Sequence, residues 1–334
     1  MAKRRRLPIG VQSFVKMRNM DFVYVDKTSY IYDLAYEGGQ YFLSRPRRFG
    51  KSLFLSTLKA YWEGKRSLFE GLEIAELERD NKDAWQPYPV FYFDFNGQNY
   101  QEDMALENII DEHLRKWETI YGGDGNLPLS ERFRNLLSTA HAQTGKGCVV
   151  LVDEYDKPLL EVLERDTLEE RNKAVFKGFF GTLKSYDEYL RFVFITGVTK
   201  FSKVSIFSDL NQLKDISLEK KYSTLCGITE EEIRANFQPE IEGLAAEHDL
   251  TTEECMQELA RMYDGYHFSK NSPGVYNPFS LVNALSSQEF GSYWFSTGTP
   301  TFLVRRLKNM RFDVRQFVGN AICVDGSDII DYRA

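Results

Sequence analysis

Cysteine and histidine are scarce. Four cysteines (Cys148, Cys226, Cys255, Cys323) and four histidines (His113, His141, His248, His267) are scattered through 334 residues, with no Cys-x-x-Cys pair. That spacing argues against a zinc site and against a disulfide framework. No apolar run approaches the ~20 residues of a membrane-spanning helix. Lys3-Arg4-Arg5-Arg6 is followed by Leu7-Pro8-Ile9-Gly10, not by the apolar core of a signal peptide. The expectation is a cytoplasmic protein without a membrane partner, its basic tetrad a solvated tail. There is little excess charge: 42 basic against 49 acidic residues gives −7, which does not suggest a surface coated in nucleic acid. Internal repeats and low-complexity segments are missing too. What is plentiful is apolar: 43% of residues are hydrophobic and 14% aromatic, so the chain reads as globular, long enough for a large core and two domains.

The stretch Tyr41-Phe42-Leu43-Ser44-Arg45-Pro46-Arg47-Arg48-Phe49-Gly50-Lys51-Ser52 organises the rest. It reads as a short buried strand, a tight basic loop and the Gly-Lys-Ser opening of a helix. N–H groups at a helix N-terminus point at an anion, and the helix dipole favours negative charge there. This order suits the phosphates of a nucleotide, with Lys51 on the outer phosphates and the Ser52 hydroxyl on Mg²⁺. The usual pattern (Walker A) is Gly, four residues, then Gly-Lys-Ser/Thr. Here Arg45 stands at the first Gly position, and Pro46 after it has no N–H to give. A cradle must therefore use the N–H groups of Phe49, Gly50, Lys51 and Ser52, with Arg47 or Arg48 neutralising phosphate charge. Taken alone, a chance Gly-Lys-Ser at a helix start explains the tripeptide equally well.

A second motif follows about a hundred residues on. In Cys148-Val149-Val150-Leu151-Val152-Asp153-Glu154, five apolar residues run straight into two carboxylates. A buried strand ending in Asp-Glu puts both acids at the carboxyl edge of a parallel sheet, where open α/β sheets bind ligands. Asp153 can hold Mg²⁺ directly or through water, and Glu154 can orient and deprotonate an attacking water. Adjacent carboxylates there repel each other unless a cation is present. A simple Asp-Glu turn fits either motif singly, but poorly when both occur in order on βα units. Arg191-Phe192-Val193-Phe194-Ile195-Thr196-Gly197 is a further buried strand ending in a hydroxyl. Thr196 is the choice for sensing the terminal phosphate or holding the water, with Thr199 and Lys200 as alternatives.

Elsewhere, Phe22-Val23-Tyr24-Val25 suggests a strand, Asp26 or Thr28 the N-cap of the next helix, and Phe14 or Tyr24 a stacking face for a base unless both are core. Leu53, Leu55, Leu58 and Tyr61-Trp62 supply a packed helix that Gly64 ends. Pro89 to Phe95 predicts a strand buried on both faces, with Asp94 near its end. Helices are expected over 101–121, 130–143, from Pro158, and over 170–188; Asp215-Ile216-Ser217-Leu218 is the expected last strand. Beyond it the pattern turns helical, with a capping box at Thr229 and Glu232 and cap-proline pairs at Asn277-Pro278 and Thr299-Pro300. Tyr263, Tyr266, His267, Phe268, Tyr276, Phe279, Tyr293, Trp294 and Phe295 are read as the core of a small helical or winged-helix domain.

Several strings resemble a bacterial family of predicted AAA-type ATPases: Leu7-Pro8-Ile9-Gly10, Tyr24-Val25-Asp26-Lys27-Thr28, Arg45 to Ser52, Asp153-Glu154-Tyr155-Asp156-Lys157-Pro158, Gly197 to Lys203, Tyr263 to Phe268 and Tyr276 to Ser280. The loop beginning Arg45-Pro46 is itself typical of that family. The resemblance implies an α/β fold with an additional-strand, AAA-like P-loop NTPase parallel sheet. The Thr196 strand would lie between the two motif strands, in a core over 1–224. A helical, winged-helix-like lid over 225–334 would follow. Family members often continue into a PD-(D/E)xK nuclease-like domain, before which this chain is expected to stop.

Three functions compete at this level. The first is a Mg²⁺-dependent ATP-hydrolysing switch, with an arginine supplied in trans on assembly with a protein partner or a second copy. The second is a nucleotide-gated binding module with negligible turnover. The third is a nuclease built on Asp209, Glu219, Lys220 and Lys221. ATP is favoured over GTP because no Asn-Lys-x-Asp guanine reader occurs. Contact with nucleic acid, or a role in defence, rests on analogy.

Overall fold

The computed structural model describes residues 5–163, 165–199 and 212–293. In chain order they form α1 (Phe14–Asn19), α2 (Thr28–Glu37), β1 (Gly39–Ser44), α3 (Lys51–Trp62), α4 (Glu73–Leu77), β2 (Val90–Asp94), α5 (Ala105–Tyr121) and α6 (Leu129–Thr144). There follow β3 (Cys148–Asp153), α7 (Lys157–Leu160), α8 (Asp166–Ser185), β4 (Leu190–Gly197), β5 (Leu213–Asp215), α9 (Glu230–Asn236), α10 (Gln238–Glu247), α11 (Thr252–Tyr263) and α12 (Pro278–Ser287). The described chain divides into two compact units. A sheet unit comprises residues 38–44 and 88–214; a loop unit comprises 5–37, 45–87 and 215–293.

In the sheet unit the strand order is β2-β3-β4-β1-β5. β1 with β4, β4 with β3, and β3 with β2 all pair in parallel. Parallel neighbours require crossovers, and α5 with α6 links β2 to β3 as α7 with α8 links β3 to β4. β3 is buried along its whole length, as its unbroken apolar run dictates. β2 differs from expectation: Phe91 and Phe93 are buried, while Val90, Tyr92 and Asp94 are half-buried. It is last in the strand order, with β3 its one paired neighbour, so its second face is not fully covered.

One face of the sheet carries the helices. Leu106, Ile110 and Leu114 of α5, Phe133, Leu136 and Leu137 of α6, and Phe176, Phe179 and Leu183 of α8 recur at helical spacing and meet Phe91, Phe93 and Val150. Phe93 touches Phe133 edge-on at 5.3 Å and Phe179 at 5.1 Å. Arg132 of α6 is buried here, its fork paired with Glu118 and its remaining nitrogen with Asp111.

The loop unit begins with α1, capped by Ser13, whose hydroxyl accepts from the Lys16 N–H. Phe14 is fully buried against Tyr24 and Phe69, at 5.3 and 4.8 Å between ring centres. It is core, so it offers no stacking face for a base. The strand expected over 22–25 is reduced to a single bridge between Phe22 and Arg6. Val23 and Val25 pack instead on the helical cluster of 228–285. Arg5 and Arg6 are exposed, as a solvated segment requires, but they also make contacts: Arg5 binds Glu240 and the Asn236 carbonyl, and Arg6 the Met20 carbonyl. Asp26 accepts from the Thr28 N–H and hydroxyl, and α2 starts at Thr28.

The last strand starts two residues and ends three residues earlier than expected. β5 ends at Asp215 because the Asp215 carboxylate takes the Ser217 N–H and turns the chain. Beyond it, α9 to α12 enclose Ile233, Phe237, Ile241, Leu259, Leu281 and Leu285. The expected capping box at Thr229 and Glu232 is present, a second joins Thr251 and Glu254, and Asn277 caps α12 ahead of Pro278. The described part of this region is helical, with two isolated antiparallel bridges, Ile228 with Tyr276 and Tyr266 with Val275. Trp294, Phe295, Thr299 and Pro300 lie outside the described residues, as do Lys3 and Arg4. Among the described residues no helix is long and apolar enough to cross a membrane.

Breaking a buried ion pair on one side leaves an uncompensated charge, which costs about 3–5 kcal/mol. Arg132→Leu is therefore expected to lower unfolding free energy by roughly 3 kcal/mol, read as a shifted urea midpoint at unchanged slope, while Arg115→Leu, whose side chain is exposed, shifts it far less.

Candidate functional site

At the carboxyl edge of the sheet unit, β3 ends at Asp153 and β4 at Gly197. β1 ends at Ser44, in register with Gly197, so β4 lies between β1 and β3. Asp153 is 1% exposed. The Thr196 hydroxyl, itself fully buried, donates to Asp153 Oδ1 at 2.8 Å. The Tyr92 hydroxyl faces Oδ2 at a long 3.5 Å. Burial, and then the Asp153 charge, push the Tyr92 hydroxyl well above the usual phenol range, so it stays a neutral donor. Thr196 thus has Asp153 as its nearer acceptor, with the Val152 carbonyl at 3.4 Å, and fixes that carboxylate. Asp94, one strand over and in register with Asp153, accepts from the Asn96 N–H and makes a local turn.

Glu154 is half-buried and adopts φ +50°, in the left-handed region. For a residue other than glycine that costs about 1–3 kcal/mol and is held only where surrounding structure enforces it. Two contacts do so: the Tyr155 N–H donates to the Thr196 carbonyl, and the Lys157 N–H to the Glu154 carbonyl. Asp156, 1% exposed, accepts from the N–H groups of Val198 and Thr199 at 2.8 Å each and from the Thr199 hydroxyl at 3.2 Å. Tyr155 donates to the Thr199 carbonyl and stands edge-on to Phe42. Thr199 is therefore committed to Asp156, and Lys200 lies outside the described residues.

In the loop unit, the basic loop continues from Ser44 into α3. Two left-handed residues shape it, Arg48 at φ +69° and Gly50 at +95°, the latter at the N-cap of α3. Arg45 and Pro46 do not have positive φ, so no glycine is needed where the usual pattern has its first one. Lys51 is 4% exposed, and its Nζ donates to the Arg45 carbonyl at 3.0 Å and to the Pro46 carbonyl at 3.2 Å. An ammonium has three donors, so the amine both ties the loop and keeps capacity for an anion. Ser52 follows in the first turn, half-buried. Gly50 is exposed, Arg47 half-buried, and Arg48 exposed with its guanidinium 4.8 Å from the Phe279 ring. The Phe49 side chain is buried edge-on to Tyr266 and Phe268, and its carbonyl accepts from the Gly227 N–H at 3.1 Å. Arg45 is 1% exposed; burial pushes its guanidinium down to about 10, still charged at neutral pH.

Each unit thus brings its own expected residues together: Arg47, Arg48, Phe49, Gly50, Lys51 and Ser52 on one loop, and Asp153, Glu154 and Thr196 on one sheet edge. Sequence reasoning missed Tyr92, Tyr155 and Asp156. Tyr155 and Asp156 stood in the string that carries the family resemblance but were given no task; a second acid two residues beyond Glu154 was a further signal, since a buried carboxylate needs donors. Of the nuclease set, Asp209 lies outside the described residues, and Lys221 pairs with Asp33 and Glu37. Among the described residues no three His, Cys, Asp or Glu side chains gather to hold a metal. A Mg²⁺ carried by phosphates needs only one or two protein oxygens.

Gly197 closes this edge. A Cβ there would lie 2.7 Å from Tyr155 Cε1 and 2.8 Å from Asp156 Oδ1. Gly197→Ala is expected to cost about 1–3 kcal/mol by overpacking, seen as a lower melting temperature, whereas Gly178→Ala, with open space around it, is expected not to destabilise.

Residues 8–207 match the family described as predicted AAA-ATPase. The chain is also 42% identical over 310 residues to a protein of Azotobacter chroococcum mcd 1 described as an uncharacterized protein in the vnfD 5′ region. That match takes in 92% of this chain and 57% of the relative, so the chain spans little more than half of its relative's length. No solved structure matches. The family match covers more than half of the 334 residues, and it falls on the sheet and loop just described: the chain belongs to the predicted AAA-ATPase family.

Proposed function

We propose that the chain binds ATP with Mg²⁺ and hydrolyses it, acting as a conformational switch. The observation that carries this reading is the strand order: β4, whose Thr196 holds Asp153, lies between β3 and the strand that feeds the basic loop. In this reading the N–H groups of Phe49, Gly50, Lys51 and Ser52 receive phosphate oxygens. Lys51 Nζ leaves the Arg45 and Pro46 carbonyls for the outer phosphates, and Arg47 or Arg48 adds positive charge. Ser52 and Asp153 would hold Mg²⁺, which when bound neutralises charge developing on the transferred phosphoryl group. Glu154 orients the attacking water and takes its proton. Thr196 positions Asp153 by donating to Oδ1. An arginine from a partner protein or a second copy would complete the charge balance. Residues 1–224 would act as the ATPase core and 225–334 as a winged-helix-like lid.

A second reading, a nucleotide-gated binding module with negligible turnover, is favoured by Pro46, which gives the loop one N–H fewer. Steady-state phosphate release from purified protein separates the two: release no faster than that of the Lys51→Ala variant supports the module.

Lys51→Ala is expected to weaken ATP binding at least about 100-fold, roughly 2.7 kcal/mol, in a calorimetric titration. Glu154→Gln is expected to keep ATP affinity while turnover falls by about 10²–10⁴. Ordinary turnover by Glu154→Gln removes Glu154 as the base, and unaltered binding by Lys51→Ala removes the loop as the phosphate site.

A further inference from the structure

The residue that departs most from the usual phosphate-loop pattern is also the largest fully buried side chain among the described residues. Arg45 Nη1 donates to the Ser217 carbonyl at 2.7 Å and Nη2 to the Tyr222 carbonyl at 2.9 Å. Its guanidinium lies over the Phe268 ring, 4.0 Å from the ring centre. Its own carbonyl receives Lys51 Nζ at 3.0 Å. One residue therefore grips residues 217–222 with its head and the lysine amine with its backbone. Glycine, the residue of the usual pattern, can do only the second.

The chain just beyond the gripped segment is anchored again. The Gly227 N–H donates to the Phe49 carbonyl, and Gly227 sits at φ +94° with a hypothetical Cβ 2.8 Å from Val275 Cβ. Lys27 Nζ donates to the Thr224 carbonyl and pairs with Glu232, which itself caps α9. The Tyr30 hydroxyl meets the Thr224 hydroxyl at 2.6 Å. Residues 217–227 thus form a strap held mainly through backbone carbonyls by the buried Arg45 and the half-buried Lys27. A planar guanidinium is suited to bridge two carbonyls and stack on a ring at once, and an ammonium is not. Burying a cation is costly unless it is satisfied in this way.

On the nucleotide reading of the loop given above, we propose that Arg45 is the positioning residue of the phosphate loop. It fixes the peptide that holds Lys51 and couples occupancy of the loop to the strap at 217–227. When phosphates draw Lys51 Nζ from the Arg45 carbonyl, the disturbance begins on the residue that seats the strap. The strap in turn leads into α9, so loop occupancy is transmitted to the helical cluster without a change in the sheet.

The test compares the parent chain with Arg45→Lys, Arg45→Gly, Phe268→Leu and Phe69→Leu. Phe69 is buried against Phe14, Tyr61 and Trp85 in the same unit and controls for general loss of stability. Amide hydrogen exchange of the nucleotide-free proteins and titration with Mg-ADP are the two readouts. Both Arg45 variants are expected to exchange at least about tenfold faster over 217–227 and 49–54, and to bind Mg-ADP at least about tenfold more weakly. Phe268→Leu should shift both readouts in the same direction by less. Phe69→Leu should lower the melting temperature and leave both readouts near the parent. In the parent, Mg-ADP should also change exchange over 217–227, and this response should vanish in Arg45→Lys. Near-parental binding and exchange in Arg45→Gly overturns the proposal, as does an equal change in Phe69→Leu. If Arg45→Gly does not fold, Arg45→Lys and Phe268→Leu decide by the same criteria. A parent that binds no Mg-ADP at millimolar concentration defeats the nucleotide reading instead. The nucleotide-free exchange data then decide the strut alone: unaltered exchange over 217–227 in Arg45→Lys overturns it, and faster exchange supports it.

Discussion

The hydrogen bond from the Thr196 hydroxyl to the Asp153 carboxylate is the constraint on which the sheet edge depends. A carboxylate at 1% exposure is costly unless its oxygens are satisfied. The neighbouring strand supplies the donor at 2.8 Å, and the parallel register that brings the two strand ends level makes this possible. From that bond the rest of the edge follows. Tyr155 crosses to the Thr196 carbonyl, Glu154 is turned to positive φ between them, and Asp156 gathers the peptide groups after Gly197. Four acidic or aromatic positions in a row are thereby given four separate tasks.

The loop unit solves a different problem, opening a helix with Gly50-Lys51-Ser52 without a glycine at position 45. Arg48 and Gly50 take the left-handed turns, so Arg45 can keep ordinary backbone geometry. Its side chain, freed from that demand, is packed under the strap. Pro46 removes a donor, yet its carbonyl helps to hold the Lys51 amine. The loop is thus braced from its own interior and through the aromatic contacts of Phe49.

Much of this was legible in the sequence where the signal was local. The apolar run from Cys148 to Val152, the helix opening at Lys51, and the caps at Thr229 and Asn277 all stand where the pattern put them. Pattern reading failed where neighbours overrode propensity. Phe22 to Val25 has the composition of a strand, but its pairing goes no further than one bridge to Arg6, whose carbonyl takes the Val23 N–H, and the valines are used for packing. Val90, Tyr92 and Asp94 share β2 with buried phenylalanines, yet a strand at the end of the strand order leaves them half-exposed. Asp215 ended its strand by folding its carboxylate onto Ser217, a choice invisible in hydropathy.

By itself the sequence determined the order of strands and helices, the acids at the end of β3 and the amine at the start of α3. Each is set by contacts within a few residues, where periodicity, caps and turn chemistry act. Only the tertiary structure decided that Thr196 serves Asp153 and that Arg45 is a buried strut. Those partners are separated by 43 and 172 residues of chain. Such pairings are fixed by sheet register and by the need to satisfy every buried polar group, and neither leaves a mark on the local pattern.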